Sequence, residues 1–172
     1  MSAQGRARPA NPVAELKRIL LAEDSPNDVE LTRAALEQHH LVNEIVVVRD
    51  GAEALDYLYA RGPFAGRPPG NPALLLLDLK MPKVDGLEVL KAIKADAALK
   101  TIPVVMLTSS REEQDLIASY QLGVNGYVVK PVDFPEFMEA VRQIGIFWAL
   151  VNEPPPARAG LGPTDGLAVE RG

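Results

Sequence analysis

The chain has 172 residues, enough for one domain with segments to spare at its ends. Apolar residues make up 47% and charged residues 24%, a balance that excludes a disordered or fibrous protein. The net charge of −5 disfavours non-specific attraction to nucleic acid or anionic lipid, and the lack of cysteine excludes disulfides, thiol catalysis and thiolate metal sites.

No run approaches the roughly eighteen consecutive apolar residues of a membrane span. The start, MSAQGRARPANP, also lacks the apolar stretch of a signal peptide. The expectation is a cytoplasmic protein that binds neither membrane nor nucleic acid directly. Residues 1–18 read as a disordered or extended leading segment and residues 19–151 as the folded core. Residues 152–172, rich in Pro and Gly, read as a tail with no output domain.

Along the core, five short apolar runs stand out: Ile19–Ala22, Ile45–Val48, Leu74–Leu77, Val104–Leu107 and Tyr127–Val129. Each is too short for a helix and lacks polar alternation, so each reads as a strand covered on both faces. The amphipathic stretches between them read as helices. Ser25-Pro26-Asn27-Asp28 offers a cap, a first-turn proline and an acid at the third helical position. Asp50 to Glu53 and Asp133 to Glu136 repeat that cap-to-acid spacing, and Asp85-Gly86 opens a further helix. His39 and His40 read as solvated residues closing the first helix. The Gly- and Pro-rich stretch 61–73 reads as a surface loop before the third strand. This alternation predicts an α/β fold, a doubly wound parallel sheet with helices on both faces.

Binding sites in such sheets lie beyond the carboxyl ends of the strands. Those ends carry Glu23 and Asp24 after the first strand, Asp78 after the third, Thr108 after the fourth and Lys130 after the fifth. One strand-end carboxylate is ordinarily a cap or a solvated turn residue. With strand order 2-1-3-4-5, however, the first and third strands are neighbours, so Glu23, Asp24 and Asp78 converge. Three carboxylates that close repel one another, and a hard cation such as Mg2+, which favours oxygen ligands, resolves the conflict. Lys130 adds a positive charge and Thr108 a small hydroxyl. Together they suit a phosphoryl group held on a carboxylate oxygen, with Asp78 on the central strand as the nucleophile. The turn after Asp78 makes the backbone carbonyl of Lys80 a further candidate metal ligand. The Lys130-Pro131 bond is a candidate cis peptide, although such bonds are ordinarily trans.

These residues resemble the response-regulator receiver domain of two-component signalling. The acidic pair is Glu23-Asp24, the acceptor Asp78 lies in LLLLDLKMPKVDGLEVL, the hydroxyl Thr108 in VVMLTSS, and the aromatic Tyr127 and Lys130 in GVNGYVVKP. The resemblance covers essentially all of residues 19–151. It implies a flavodoxin-like (βα)5 fold, Mg2+-dependent phosphorylation of Asp78 by the phosphohistidine of a histidine kinase, and slow self-dephosphorylation in a signalling protein rather than an enzyme. It also implies a switch in which Thr108 moves toward the phosphoryl group and Tyr127 changes rotamer. Glu23 departs from the pattern, because aspartate is common there. The long loop before the third strand, without an effector module, is most similar to stand-alone receivers that partner bacterial phytochrome histidine kinases.

Two other classes compete. A haloacid-dehalogenase-like phosphohydrolase also uses a strand-end aspartate with Mg2+, but its second aspartate falls where this chain has Lys80. A nucleotide-binding flavodoxin-like protein needs a glycine-rich first loop, and here that loop is AEDSPND. The last helix places Phe134, Phe137, Met138, Val141 and Ile144 on one stripe. Beyond them Ile146, Phe147, Trp148, Leu150 and Val151 cannot all face one side, which predicts a homodimer through Phe147 and Trp148.

Overall fold

Residues 17–37, 44–130, 133–148 and 152–153 are described by the computed structural model of the chain. His39, His40, the Lys130-Pro131 bond, Leu150, Val151 and the tail from residue 154 lie outside the described residues, as does the side chain of Phe134.

The apolar runs form five parallel strands: β1 (Arg18–Ala22), β2 (Glu44–Val48), β3 (Leu74–Leu77), β4 (Val104–Thr108) and β5 (Gly126–Val129). Their order is β2-β1-β3-β4-β5, as the sequence leads one to expect. Five helices follow the strands: α1 (Pro26–Glu37), α2 (Gly51–Leu58), α3 (Gly86–Ala95), α4 (Glu113–Gln121) and α5 (Phe134–Ile146). This is a flavodoxin-like fold.

Successive strand residues point to opposite faces, and the sheet sorts them into two cores. Leu20, Leu75, Leu77 and Met106 pack with Leu90 and Ile93 of α3 and Tyr57 of α2. Ile19, Leu21, Leu74, Leu76 and Leu107 pack with Leu36 of α1 and Phe137 and Val141 of α5. Coverage on both faces holds for β1, β3 and β4, which are buried throughout. It fails for β2 and β5, which are mostly half-buried. They are the sheet's edges, each with a neighbour on one side only, so their apolar side chains lie nearer the rim of both cores.

Caps form where the sequence places them. Asp50 accepts from the backbone N–H of Glu53 at 2.8 Å, and Asp133 from that of Glu136 at 3.2 Å. Asp85 and Glu88 cap each other's backbone reciprocally. At α1 only half of the device appears: Ser25 Oγ accepts from the N–H of Asp28 at 3.4 Å, while the Asp28 carboxylate goes elsewhere.

The strands exceed their apolar runs by one residue at Arg18, Glu44, Thr108 and Gly126, and the first of these matters most. Arg18, which composition assigns to the leading segment, is the first residue of β1 and is buried. Its guanidinium donates to the carbonyls of Pro68, Pro69 and Gly70 at 3.1, 2.9 and 3.1 Å, and to the Tyr57 hydroxyl at 3.2 Å. The loop 61–73 does run over the surface, but Arg18 ties it down from below. Among the described residues no helix is long and apolar enough to cross a membrane.

Candidate functional site

The parallel ladder delivers the site residues. Ala22 pairs with Leu77, so the next residue of each strand, Glu23 and Asp78, emerges side by side at the carboxyl edge. The backbone N–H of Asp78 donates to the Ala22 carbonyl at 3.0 Å, and that of Glu23 to the Val48 carbonyl at 3.0 Å. On the far side the N–H of Lys130 donates to the Thr108 carbonyl at 2.8 Å, which fixes the end of β5 against the end of β4.

Glu23, Asp24 and Asp78 each offer a carboxylate oxygen, and these atoms lie within 4.8 Å of one another. Glu23 and Asp78 are buried, while Asp24 is exposed. Lys130 Nζ donates to Glu23 Oε2 at 2.6 Å and to Asp28 Oδ2 at 2.8 Å, and stands 3.6 Å from Asp78 Oδ2. Burial pushes Glu23 from 4.5 up to about 7, against the lowering effect of the Lys130 hydrogen bond. Burial works against the Lys130 ammonium as well, but its hydrogen bonds to Asp28 and Glu23 outweigh it and raise the lysine above its ordinary value.

Three carboxylates, with a single ammonium beside Glu23 and Asp78 that Asp28 also holds, form an oxygen-only donor set with excess negative charge. That chemistry fits a hard divalent cation. The turn beyond Asp78 is held tightly: the N–H of Gly86 donates to the Leu79 carbonyl at 2.7 Å. The Lys80 side chain is exposed and pairs with Glu112 at 3.7 Å.

Thr108 is fully buried at the end of β4, and its Oγ1 accepts from the N–H of Ser110 at 3.2 Å. Tyr127 is half-buried, and its hydroxyl donates to the Ser110 carbonyl at 3.1 Å. The backbone of Ser110 therefore joins the two residues that the sequence singles out as a switch. Burial raises the Tyr127 hydroxyl above its ordinary value, so it remains a donor at neutral pH. Phe147 and Trp148 lie at the end of α5, on a different part of the surface. Their rings meet edge-to-face with centroids 4.9 Å apart.

Two contributors escape the sequence reading. Asp28 fits a helix-start pattern so well that its reach to Lys130 is hidden, because nothing in a linear spacing links residues 102 positions apart. Ser110 enters through its main chain, which no residue-type pattern reveals.

Residues 19–142 match the response regulator receiver domain family. Response regulator Rcp1 of Synechocystis sp. is 43% identical over 132 residues, spanning 77% of this chain and 88% of Rcp1. The crystal structure of the Mn2+-bound form of Rcp1 is similar with a TM-score of 0.77 at 41% identity, covering 81% of this chain and 99% of that one. The phosphorylated cyanobacterial phytochrome response regulator RcpA is similar with a TM-score of 0.77 at 42% identity, with the same coverage of 81% and 99%. The bacteriophytochrome response regulator AtBRR is 62% identical with a TM-score of 0.66, again over 81% and 99% of the two chains.

Proposed function

The chain belongs to the response regulator receiver domain family, and we propose that it takes up a phosphoryl group on Asp78 from the phosphohistidine of a histidine kinase. As a receiver it is a phosphoacceptor signalling protein; the phosphohydrolase and nucleotide-binding alternatives give way to that membership. The observation that carries the assignment of Asp78 is its position at the end of the central strand, among Glu23 and Asp24 and 3.6 Å from Lys130.

In the transfer an Asp78 carboxylate oxygen bonds to phosphorus as the P–N bond to the kinase histidine breaks, and the imidazole leaves with the bonding pair. Glu23, Asp24, Asp78 and the Lys80 carbonyl would hold Mg2+, which when bound supplies positive charge against the phosphoryl oxygens. Lys130 offers a second positive charge to those oxygens. Thr108 offers its hydroxyl hydrogen, and the expected movement of its side chain toward the phosphoryl group draws Oγ1 away from the N–H of Ser110 that it accepts from. That movement disturbs the loop on which the Tyr127 hydroxyl rests, so a change of Tyr127 rotamer is the expected output, on the surface of α4, β5 and α5.

Acetyl phosphate or beryllofluoride with Mg2+ should label or occupy the wild-type protein and leave Asp78→Asn untouched. Equal labelling of the variant would overturn the assignment. Structures of the free and beryllofluoride-bound protein test the switch, and a Tyr127 side chain identical in both would refute it. The similar RcpA is a phytochrome response regulator and AtBRR a bacteriophytochrome response regulator, which supports a phytochrome histidine kinase as donor. Phosphotransfer profiling at short times checks this, since fast transfer from a non-photosensory kinase alone would reject it. We also assign the Phe147 and Trp148 region as a homodimer interface, argued below at the scale of the whole molecule.

A further inference from the structure

Lys130 does not rest on the acceptor. Its ammonium makes two short hydrogen bonds, 2.6 Å to Glu23 and 2.8 Å to Asp28, and stands off from Asp78 at 3.6 Å. Asp28 belongs neither to the acidic triad nor to a strand end. It sits in the first turn of α1, about one-third exposed, with its backbone N–H already capped by Ser25. Its carboxylate is therefore not needed for the cap and is free to reach across to β5.

We propose that Asp28 is a positioning residue that holds Lys130 back from Asp78 and so sets how strongly the lysine engages a phosphoryl group there. The proposal rests on Asp78 being the acceptor. An ammonium has three N–H donors, and charge-assisted hydrogen bonds are the strong ones. Glu23 and Asp28 already hold two of those donors, so a phosphoryl oxygen on Asp78 is left the third, and the two short bonds fix how closely the ammonium can bring it. Glu23 also belongs to the cation-binding triad, so its hold on Lys130 is shared with that duty. Asp28 has no such second role and acts as a standing restraint. Removing its charge releases the ammonium toward Asp78.

The test is a double-mutant cycle on the full chain. Beryllofluoride affinity is read by fluorine NMR at saturating Mg2+ for wild type, Asp28→Asn, Lys130→Met and the double variant. Asp28→Asn is expected to bind beryllofluoride roughly fivefold more tightly than wild type, and to have no effect once Lys130 is gone. No change with Asp28→Asn overturns the proposal. So does an equal gain in the Lys130→Met background, because that would reflect the loss of one negative charge near an anion rather than release of the lysine. Asp78→Asn is the separate control: if it still binds, the acceptor assignment fails, whatever Asp28 does. Should Lys130→Met not fold, a crystal structure of metal-free Asp28→Asn decides the matter. There the Lys130 to Asp78 separation should contract from 3.6 Å, and an unchanged separation overturns the proposal.

Discussion

Glu23 stands where a buried carboxylate meets an ammonium, and its proton is the property most open to measurement. Burial raises it to about 7 in the folded protein, from 4.5. A carboxyl raised on folding favours the proton-bound fold, so without metal the stability linked to Glu23 is full below about pH 4.5 and is lost as pH rises through about 7. Cation binding has the opposite dependence, because a ligand carboxylate must first lose its proton. From pH 6 to pH 8 the Mg2+ affinity of wild type should rise about tenfold by calorimetry, and Glu23→Gln should flatten that rise. Equal slopes for the two proteins would show that another group governs the dependence. The residue types at the site were legible because charged and hydroxylic residues close several apolar runs that the strand order brings together, although any one of them alone reads as a cap. Asp28 was not, because a helix start and a lysine tether call for the same residue type, and only the third dimension separates them.

Among the elements, the central strands were the most readable. Leu74–Leu77 is apolar at every position because β3 is buried on both faces, and a run that short without polar alternation reads as such a strand. Arg18 at the start of β1 was not readable, since its burial depends on three loop carbonyls some fifty residues away. The start of α3 shows how an element fixes the site. A Cβ placed on Gly86 would sit 2.3 Å from the Asp78 carbonyl oxygen and 2.8 Å from Leu79 Cα, both main-chain atoms that cannot swing aside. Glycine there lets α3 begin directly under Asp78. Gly86→Ala should lower stability by about 1–3 kcal/mol in chemical denaturation and, by shifting Asp78, reduce acetyl phosphate labelling. An alanine variant with wild-type stability and labelling would show that the helix start can move without disturbing the site.

At the scale of the whole molecule, the sheet leaves one edge, β5, beside the end of α5. Val105, Gly126, Val128, Ile144, Phe147 and Trp148, with the polar Asn125 and Gln143, line a shallow, mainly apolar groove between them. Crowding of large apolar residues past the last core turn is what the sequence makes visible, and the structure divides them: Trp148 packs inward against the α1 and α5 core, while Phe147 remains 47% exposed. An exposed aromatic ring, an apolar groove and a half-buried edge strand lie together, which is the composition of a protein interface rather than of scattered surface residues. We expect a second copy of the chain to meet all three about a twofold axis, each Phe147 entering the groove of its partner. Sedimentation equilibrium at micromolar concentration should therefore find a dimer, and Phe147→Glu should dissociate it with the fold intact, because the side chain it replaces contributes little to the core. Trp148→Glu should weaken both the expected dimer and the fold, since that ring lines the groove and also packs on the core. A wild-type protein that stays monomeric, or a dimer indifferent to Phe147→Glu, would place the association elsewhere or abolish it.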